Sequence, residues 1–336
     1  MIISRTPLRI SFAGGGTDFA DFYLQHEGAV VSTAIDHYVY VVVKHRFDKK
    51  IRVAYTRTEM VDHPDELAHD LVRESLKRAG IDQGIEICTM ADVPSQGSGL
   101  GSSSSLTVGL LNAFYAYTSK PHTPEILARD ACEIEMDILR RPMGKQDAYI
   151  AAYGGLRMFR FLKSGAVEIE TIPLSPDSRR WLKENLLLFF TGRTRQAETI
   201  LCQQKKNIPQ RVESLCTLRN LAWELRDCLL NGMGPDFGLL LHRGWEMKKG
   251  LADGISDAEL DELYTRAISA GAVGGKILGA GGGGFMLLHC PFEHHARLRA
   301  AFRDFVELPF EPVDRCSEIL LDVSNGAVGR ESRLSG

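Results

Sequence analysis

The feature that most constrains this chain is a glycine- and serine-rich run at residues 97–105, GSGLGSSSS. It follows a stretch at 85–90 that predicts a strand and precedes an apolar stretch at 106–114 that predicts a buried helix. Alternating glycines let a backbone approach a ligand closely, free N–H groups at a helix start bind anions, and serine hydroxyls suit phosphate oxygens and Mg²⁺. The run therefore predicts a phosphate-binding loop. Its candidate residues are Gly97, Ser98, Gly99, Leu100, Gly101, Ser102, Ser103 and Ser104.

Two commoner phosphate-binding patterns do not fit this run. No lysine precedes the serines, so GxxxxGK[ST] is absent, and Ser102 stands where the dinucleotide pattern GxGxxG needs its third glycine. A flexible serine-rich linker would have a similar composition, but a linker is not expected between an apolar strand and an apolar helix. We therefore interpret the run as an anion site of another type.

The composition is typical of a globular protein with one large or two medium-sized domains. The chain has 336 residues, of which 44% are hydrophobic and 25% charged, and its net charge is −3. Because no basic cluster occurs, we expect no nucleic-acid partner. The sequence contains neither a signal-peptide pattern nor an apolar run of about 18 residues, so we expect no membrane span and a cytoplasmic location. The seven cysteines include no CxxC pair, which predicts free thiols.

Predicted strands and helices are mixed without a regular βα alternation, which favours an α+β fold over a doubly wound sheet. A stretch with two prolines at 173–185 predicts a boundary between domains of residues 1–180 and 181–336. The apolar patterns predict strands at 8–13, 30–35, 38–43 and 186–190, and helices at 65–78, 123–139, 194–230 and 257–270.

Two further segments are rich in glycine. Residues 14–18, GGGTD, follow the first strand, and their polar ends suit sugar hydroxyls, although a tight turn with a capping aspartate would look the same. Residues 276–287 contain five glycines before a strand. Because so many glycines carry a cost in conformational entropy, we expect this backbone to pack against a ligand or against another glycine loop.

A cluster of carboxylates lies on the helix at 123–139 and just after it. Phosphoryl transfer needs Mg²⁺ and often a carboxylate that orients or deprotonates the attacking hydroxyl. Glu135 and Asp147 can fill these two roles if the helix and the turn after it converge on one pocket. The alternative is an exposed, charged helix end.

The segments at 6–18, 94–105 and 276–287 together resemble the three ordered motifs of the GHMP kinases. The resemblance spans nearly the whole chain. It implies a two-domain α+β fold, with an N-terminal domain like the second domain of ribosomal protein S5 and a ferredoxin-like C-terminal domain. It also implies ATP and Mg²⁺ as cofactors.

The resemblance further implies a role for individual residues. Asp147 matches the catalytic aspartate, and Arg9 matches an arginine near the attacked hydroxyl and the γ-phosphate. Ser103 and Glu135 match the Mg²⁺ ligands. The residues assigned to the sugar are Gly15, Gly16, Thr17, Asp18, Gly281 and Gly282.

Within the family, residues 5–18 and the GKQD of residues 144–147 resemble the D-glycero-D-manno-heptose 7-phosphate kinases. Galactokinases carry GEHTD in place of GGGTD, whereas fucose kinases share much of the glycine-rich form. The expected reaction is phosphorylation of the anomeric hydroxyl of the heptose 7-phosphate, for nucleotide-activated heptose and surface polysaccharide. Two alternatives stay open: a kinase of another sugar, either fucose or unphosphorylated heptose, and a non-catalytic sugar sensor on the same fold. A homodimer stays open as well. Cations expected at the far phosphate are Lys145, Arg193 and Arg195.

Overall fold

Twelve strands form two sheets within residues 1–94, 97–194 and 197–323, the part of the chain that the computed structural model describes. The first sheet contains β1 (Ile2–Ala13), β2 (Gly28–His45), β3 (Ile51–Ala54), β4 (Thr58–Val61), β5 (Ile85–Ala91), β6 (Leu156–Phe161), β7 (Val167–Thr171) and β12 (Glu318–Asp322). The second contains β8 (Leu186–Phe190), β9 (Gly274–Ile277), β10 (Phe285–His289) and β11 (Val306–Glu307).

Eleven α-helices cover these sheets in the same described ranges. They are α1 (Ala20–His26), α2 (Asp70–Ala79), α3 (Ser102–Tyr117), α4 (Pro124–Cys132), α5 (Gln146–Tyr153), α6 (Pro176–Asn185), α7 (Ala197–Asn207), α8 (Val212–Asn231), α9 (Pro235–Lys249), α10 (Ala258–Ser269) and α11 (His295–Ala301). None of the helices in the described ranges has the length and apolar character that crossing a bilayer requires. The predicted α+β class is confirmed.

The first sheet is ordered β12-β1-β2-β5-β3-β4, with β6 paired to β2 and β7 paired to β6. One core lies between this sheet and α2 to α5. The central helix α3 approaches β1 closely at Gly109, where a Cβ would lie 2.9 Å from Thr6 Oγ1. Ser4 Oγ donates a hydrogen bond of 2.8 Å to the carbonyl of Gly109, so the contact has both a polar and a steric part. This packing fixes the start of α3 against the sheet.

A second core joins the other face of β1 to the second sheet. Leu8, Ile10 and Phe12 of β1 pack in one cluster with Leu221 of α8 and Leu241 of α9, so the two sheets share buried side chains. Helix α9 contacts both β1 and β9 and thereby spans the junction. The last described strand, β12, returns to pair with β1. The division into residues 1–180 and 181–336 stays a prediction.

Several predicted segments differ from the structure in their bounds. The strands predicted at 30–35 and 38–43 are one strand, β2, because pairing with β1 continues past the exposed residue between them. The helix predicted at 194–230 is two helices, α7 and α8, separated by a turn at Ile208–Gln210. That turn contains a proline, which lacks the N–H that a helix interior needs.

The helix predicted at 65–78 begins only at Asp70, after a separate turn at Pro64–Glu66. The helix predicted at 123–139 is α4 followed by a wider π-helical turn at Glu133–Ile138. Helix α5, which follows it, was not predicted and carries Asp147 in its first turn. Asp147 therefore lies at a helix start and not in a turn.

Candidate active site

Arg9 of β1 and Asp147 of α5 form an ion pair with two hydrogen bonds. Arg9 Nε donates to Asp147 Oδ1 at 2.8 Å and Nη2 donates to Oδ2 at 2.7 Å. The side chain of Arg9 is 4% exposed and that of Asp147 is 20% exposed, so the pair faces a cleft without being open to bulk water. The third nitrogen, Nη1, donates to the carbonyl of Gly99 at 2.5 Å. One buried guanidinium thus fixes both the carboxylate and the glycine-rich loop.

The loop has the left-handed conformation that its glycines predict. The φ angles are 72° at Gly97, 76° at Gly99 and 78° at Gly101. Leu100 points into the core, and its carbonyl accepts the backbone N–H of Arg9 at 3.0 Å. Helix α3 starts directly after Gly101, so its free N–H groups and its positive dipole end face the same cleft. This is the arrangement that binds phosphate.

The third glycine segment packs against this loop, which confirms one of the two alternatives predicted for it. A Cβ on Gly279 would lie 2.6 Å from the Cα of Gly99, and one on Gly284 would lie 2.6 Å from the carbonyl oxygen of Ser98. Gly279 lines the cleft, whereas Gly281 and Gly282 do not. The N–H of Gly282 instead donates to the carbonyl of Ile255 at 2.8 Å.

The first glycine segment brings Asp18 to the start of α5. Asp18 Oδ1 accepts the N–H of Gly16 at 3.1 Å, and Oδ2 accepts the N–H of Gln146 at 3.2 Å. Burial, and then the charge of Asp147, raise the pKa of Asp18. A Cβ on Gly144 would lie 2.1 Å from Asp18 Oδ2, so only glycine fits there. Asp18 lines the cleft, and it also caps the helix that carries Asp147. Its assignment to the sugar hydroxyls stays a prediction.

Two of the other residues of that segment line the cleft, whereas Thr17 has a structural role. Gly15 and Gly16 line the cleft. Thr17 is buried: its Oγ1 donates to the carbonyl of Gly14 at 2.8 Å and accepts the N–H of Ala29 at 3.0 Å. Thr17 therefore holds the turn together, and its assignment to the sugar is not supported by its position.

Glu135 is fully buried in the π-helical turn, and neither of its oxygens has a hydrogen-bond partner among the described residues. Burial raises the pKa of Glu135 to about 7, a shift opposed by Arg141 and by the hydroxyls of Ser104 and Ser103 and increased by Asp147. Arg141 Nη1 lies 3.7 Å from Oε2, while its Nη2 is bound to Asp70. A buried carboxylate that accepts no hydrogen bond and whose nearest cation is 3.7 Å away is costly, so these oxygens fit a closer cation. With the hydroxyl of Ser103, they form the oxygen donor set that Mg²⁺ prefers.

The cleft lined by Arg9, Asp18, Asp147 and Ser103 has a volume of about 570 Å³, and Glu135 lies behind its lining residues. A second cleft of about 1060 Å³ adjoins it and extends towards β3, β5 and the start of α2. The two share Ser102, Ser103, Arg141 and Thr194. The start of α3 therefore stands between two spaces, one next to the Arg9–Asp147 pair and one remote from it.

Two cleft residues were missed as site residues by sequence reasoning. Lys248 of α9 and Lys276 of β9 are each only 6% exposed and line the cleft. Lys276 begins the third glycine segment, which was a usable signal. Lys248 stands beside Lys249 at the end of a helix, where a pair of lysines reads as a solvated surface.

Of the three cations expected at a far phosphate, the two that the structure describes, Lys145 and Arg193, lie outside the cleft. Lys145 donates to the carbonyl of Gly165 at 2.6 Å and lies over the Tyr23 ring, and it does not line the cleft. Arg193 is bound to Asp257 and Glu259, and it does not line the cleft either. Arg195 lies outside the described residues. Lys145 is bound to a backbone carbonyl and Arg193 to two carboxylates. These partners take the place that the prediction assigned to the substrate phosphate.

The chain matches one family of proteins in both halves. Residues 66–155 match the family described as GHMP kinases N terminal domain, and residues 225–308 match GHMP kinases C terminal. Over 304 residues it is 31% identical to D-glycero-alpha-D-manno-heptose 7-phosphate kinase of Campylobacter jejuni, covering 85% of this chain and 88% of that relative. Over 311 residues it is 26% identical to the bifunctional fucokinase/GDP-fucose pyrophosphorylase of Arabidopsis thaliana, with 84% of this chain and 29% of that relative covered.

A solved structure has the same architecture. The crystal structure of a D-glycero-D-manno-heptose 1-phosphate kinase from Bacteroides thetaiotaomicron matches with a TM-score of 0.81 at 25% identity, covering 96% of this chain and all of that chain. The site geometry and these similarities agree on a phosphotransferase that acts on a hydroxyl group, a sugar kinase. The chain belongs to the GHMP kinase family.

Proposed function

We propose that this enzyme transfers the γ-phosphoryl group of ATP to the anomeric hydroxyl of D-glycero-D-manno-heptose 7-phosphate and releases the 1,7-bisphosphate. The observation that carries the chemistry is the position of Asp147 in the cleft, with both oxygens oriented by Arg9. The similarity over 85% of the chain to the heptose 7-phosphate kinase of Campylobacter jejuni supports this choice of sugar. The product would serve nucleotide-activated heptose and surface polysaccharide synthesis in the cytoplasm.

The two adjoining clefts suggest how the substrates are arranged. We assign the nucleoside to the larger cleft and the sugar to the smaller one, because the phosphate-binding start of α3 lies where they meet. The amides of Gly97 to Ser104 would hold the phosphates. Glu135 and Ser103 would hold Mg²⁺, which when bound neutralises phosphate charge during transfer.

In this arrangement Asp147 accepts the hydrogen bond of the attacking sugar hydroxyl. As the sugar oxygen forms its bond to phosphorus, the proton passes to Asp147 and the bond to the leaving ADP oxygen breaks. Arg9 keeps the carboxylate in place and adds positive charge beside the transferred group. Electrostatic stabilisation by these fixed groups supplies most of the rate in such reactions.

A coupled assay of ADP release over a panel of acceptors tests the proposal. The panel contains heptose 7-phosphate, unphosphorylated heptose, fucose, galactose and mevalonate, and the control is Asp147→Asn, which should bind nucleotide but not transfer phosphate. We expect the highest kcat/KM with heptose 7-phosphate. A maximum with fucose would favour the second candidate, which the similarity to a fucokinase supports. Equal ATP turnover by wild type and variant with every sugar would favour a non-catalytic sensor.

A further inference from the structure

Four cations line the smaller cleft within the described residues, and two of them are bound to carboxylates. Arg9 is bound to Asp147, and Arg141 is bound to Asp70. Lys248 and Lys276 are different: within the described ranges, neither has a carboxylate oxygen within 4.0 Å. Among the described residues, their ammonium groups donate to carbonyls alone, Lys248 to Gly279 and Lys276 to Ser11 at 2.9 Å and Phe12 at 3.1 Å.

Two nearly buried lysines without anionic partners are costly to keep in a fold. Burial lowers the pKa of both lysines. The charge of Arg9 lowers the pKa of Lys248 further, and the charges of Lys248 and Arg9 lower that of Lys276. The carboxylates that partly offset this at Lys248 are Asp18 and Asp147. Both carboxylates already accept hydrogen bonds from other groups, Asp18 from backbone N–H groups and Asp147 from Arg9. Glu198 also lines the cleft but pairs with neither lysine, so among the described residues the ammonium groups of Lys248 and Lys276 have no carboxylate partner.

Unpartnered hydrogen-bonding atoms lie in the same part of the cleft. Ser11 Oγ is buried and has no partner among the described residues, and the same holds for Gln146 Oε1. Both side chains flank Gly15, where a Cβ would lie 3.8 Å from Ser11 Oγ and 3.8 Å from Gln146 Nε2. Lys276 is bound to the backbone of Ser11 itself. A ligand here would find a hydroxyl donor beside a cation.

This group is on the sugar side of the site. Lys248, Lys276, Ser11 and Gln146 line the smaller cleft and none of them lines the larger one, to which we assigned the nucleoside. We propose that Lys248 and Lys276, with Ser11 Oγ, form a subsite for the phosphate monoester that the acceptor sugar already carries. This inference rests on the proposed function, and it replaces Lys145 and Arg193 as the cations that select a phosphorylated sugar.

The same chemistry could serve a second source of phosphate, the γ-phosphoryl group of ATP, because Lys248 lies against Gly279 and Gly279 packs on Gly99. The test therefore compares acceptors with and without a phosphate. The variants are Lys248→Met and Lys276→Met, which remove the charge and keep an unbranched side chain. The control is Lys249→Met, which removes a lysine of the same helix whose charge is paired with Glu246 and Asp261.

The measured quantity is the ratio of kcat/KM for heptose 7-phosphate to that for unphosphorylated heptose. We expect each site variant to lower this ratio by about 10- to 100-fold, the range for loss of one charge-assisted hydrogen bond, and the control to leave it unchanged. Calorimetric titration with heptose 7-phosphate in the absence of nucleotide should show the same loss of affinity, and thermal unfolding of each variant checks that it is folded.

The inference would be overturned if the site variants lost kcat/KM equally for both sugars, so that the ratio stayed unchanged, or if they raised the KM for ATP. Either result would assign the lysines to the transferred phosphoryl group. A wild-type enzyme that phosphorylates only unphosphorylated sugars would overturn it as well, while leaving the kinase chemistry intact. Failure of the proposed kinase function itself would look different, because no acceptor would then be phosphorylated.

Discussion

Arg9 and Asp147, 138 residues apart in the chain, meet through two parallel hydrogen bonds of 2.8 and 2.7 Å. The arginine also holds the carbonyl of Gly99, so it connects the carboxylate that we propose as the proton acceptor to the glycine-rich loop. The planar guanidinium makes these contacts at the same time, which an ammonium group cannot do.

Arg9→Lys should therefore lower kcat by about 100-fold, because Asp147 loses its fixed orientation and the loop loses its anchor. Steady-state kinetics with saturating ATP and sugar phosphate measure this. The matched control is Arg46→Lys, since Arg46 makes the same two-point pair with Asp48, at 2.8 and 2.7 Å, outside both clefts. Similar kcat values for the two variants would contradict a catalytic role for the Arg9 pair.

Gly279→Ala should destabilise the fold by about 3 kcal/mol and reduce activity, because the added Cβ would lie 2.6 Å from the Cα of Gly99 at a residue with φ of +67°. Chemical denaturation measures the free energy of unfolding. The control is Gly250→Ala, where φ is −80° and the nearest atom would be 3.6 Å away. A destabilisation no larger than that of the control would mean that the two glycine loops are not in the close contact described above.

Glu135→Gln should stabilise the metal-free protein above neutral pH. The pKa of Glu135 is raised from 4.5 to about 7, so between these values the folded protein holds a proton that the unfolded chain has lost. The stability of the wild type therefore falls as the pH rises through this window, by up to about 3 kcal/mol in total. Denaturation in a chelator at pH 5 and pH 8 should show this fall in the wild type and not in the variant.

The same variant should need at least about tenfold more Mg²⁺ for half-maximal activity, because it removes an anionic ligand. Glu133→Gln is the control, since Glu133 is half exposed and paired with Arg78. An unchanged Mg²⁺ requirement in Glu135→Gln would show that the metal binds elsewhere.

The kcat/KM for heptose 7-phosphate should decrease as the pH rises past about 8. Burial, and then Arg9, lower the pKa of Lys248 to about 8, against the opposing charges of Asp18 and Asp147. Above that pH the free enzyme loses the ammonium charge that we assign to the substrate phosphate, and kcat/KM follows the free enzyme. Initial rates at low sugar phosphate between pH 6.5 and 9.5 measure the effect. An identical profile for Lys248→Met would contradict this assignment.

Much of the candidate site could be predicted because many of its residues are close neighbours in the sequence and form recognisable patterns. The glycine loop, the helix after it and the third glycine segment follow from patterns of neighbouring residues, and glycines that must pack on one another carry a signal even without a known partner. Arg9 was assigned through the family resemblance alone, whereas Glu135 and Asp147 were also candidates from the carboxylate cluster. The structure places Arg9 and Asp147 in contact and Glu135 near Asp147.

The remaining features depend on contacts between distant residues, which local patterns do not report. Arg193 looks free in sequence, but its partners Asp257 and Glu259 come from a helix more than sixty residues later. Lys248 reads as a surface lysine because only the packing of α9 against both sheets buries it. The break between α7 and α8 has a local signal, the proline of the turn, but the apolar pattern continues on both sides of it and predicts one helix.

The central claim is that phosphate is added to the anomeric oxygen of a sugar that already carries a phosphate. Phosphorus NMR of wild-type enzyme with ATP, Mg²⁺ and heptose 7-phosphate tests it most directly. We expect a second phosphate ester signal, coupled to the anomeric proton, that grows in proportion to ADP and is absent with Asp147→Asn. Release of inorganic phosphate with ADP, or a new ester at any other hydroxyl, would contradict it.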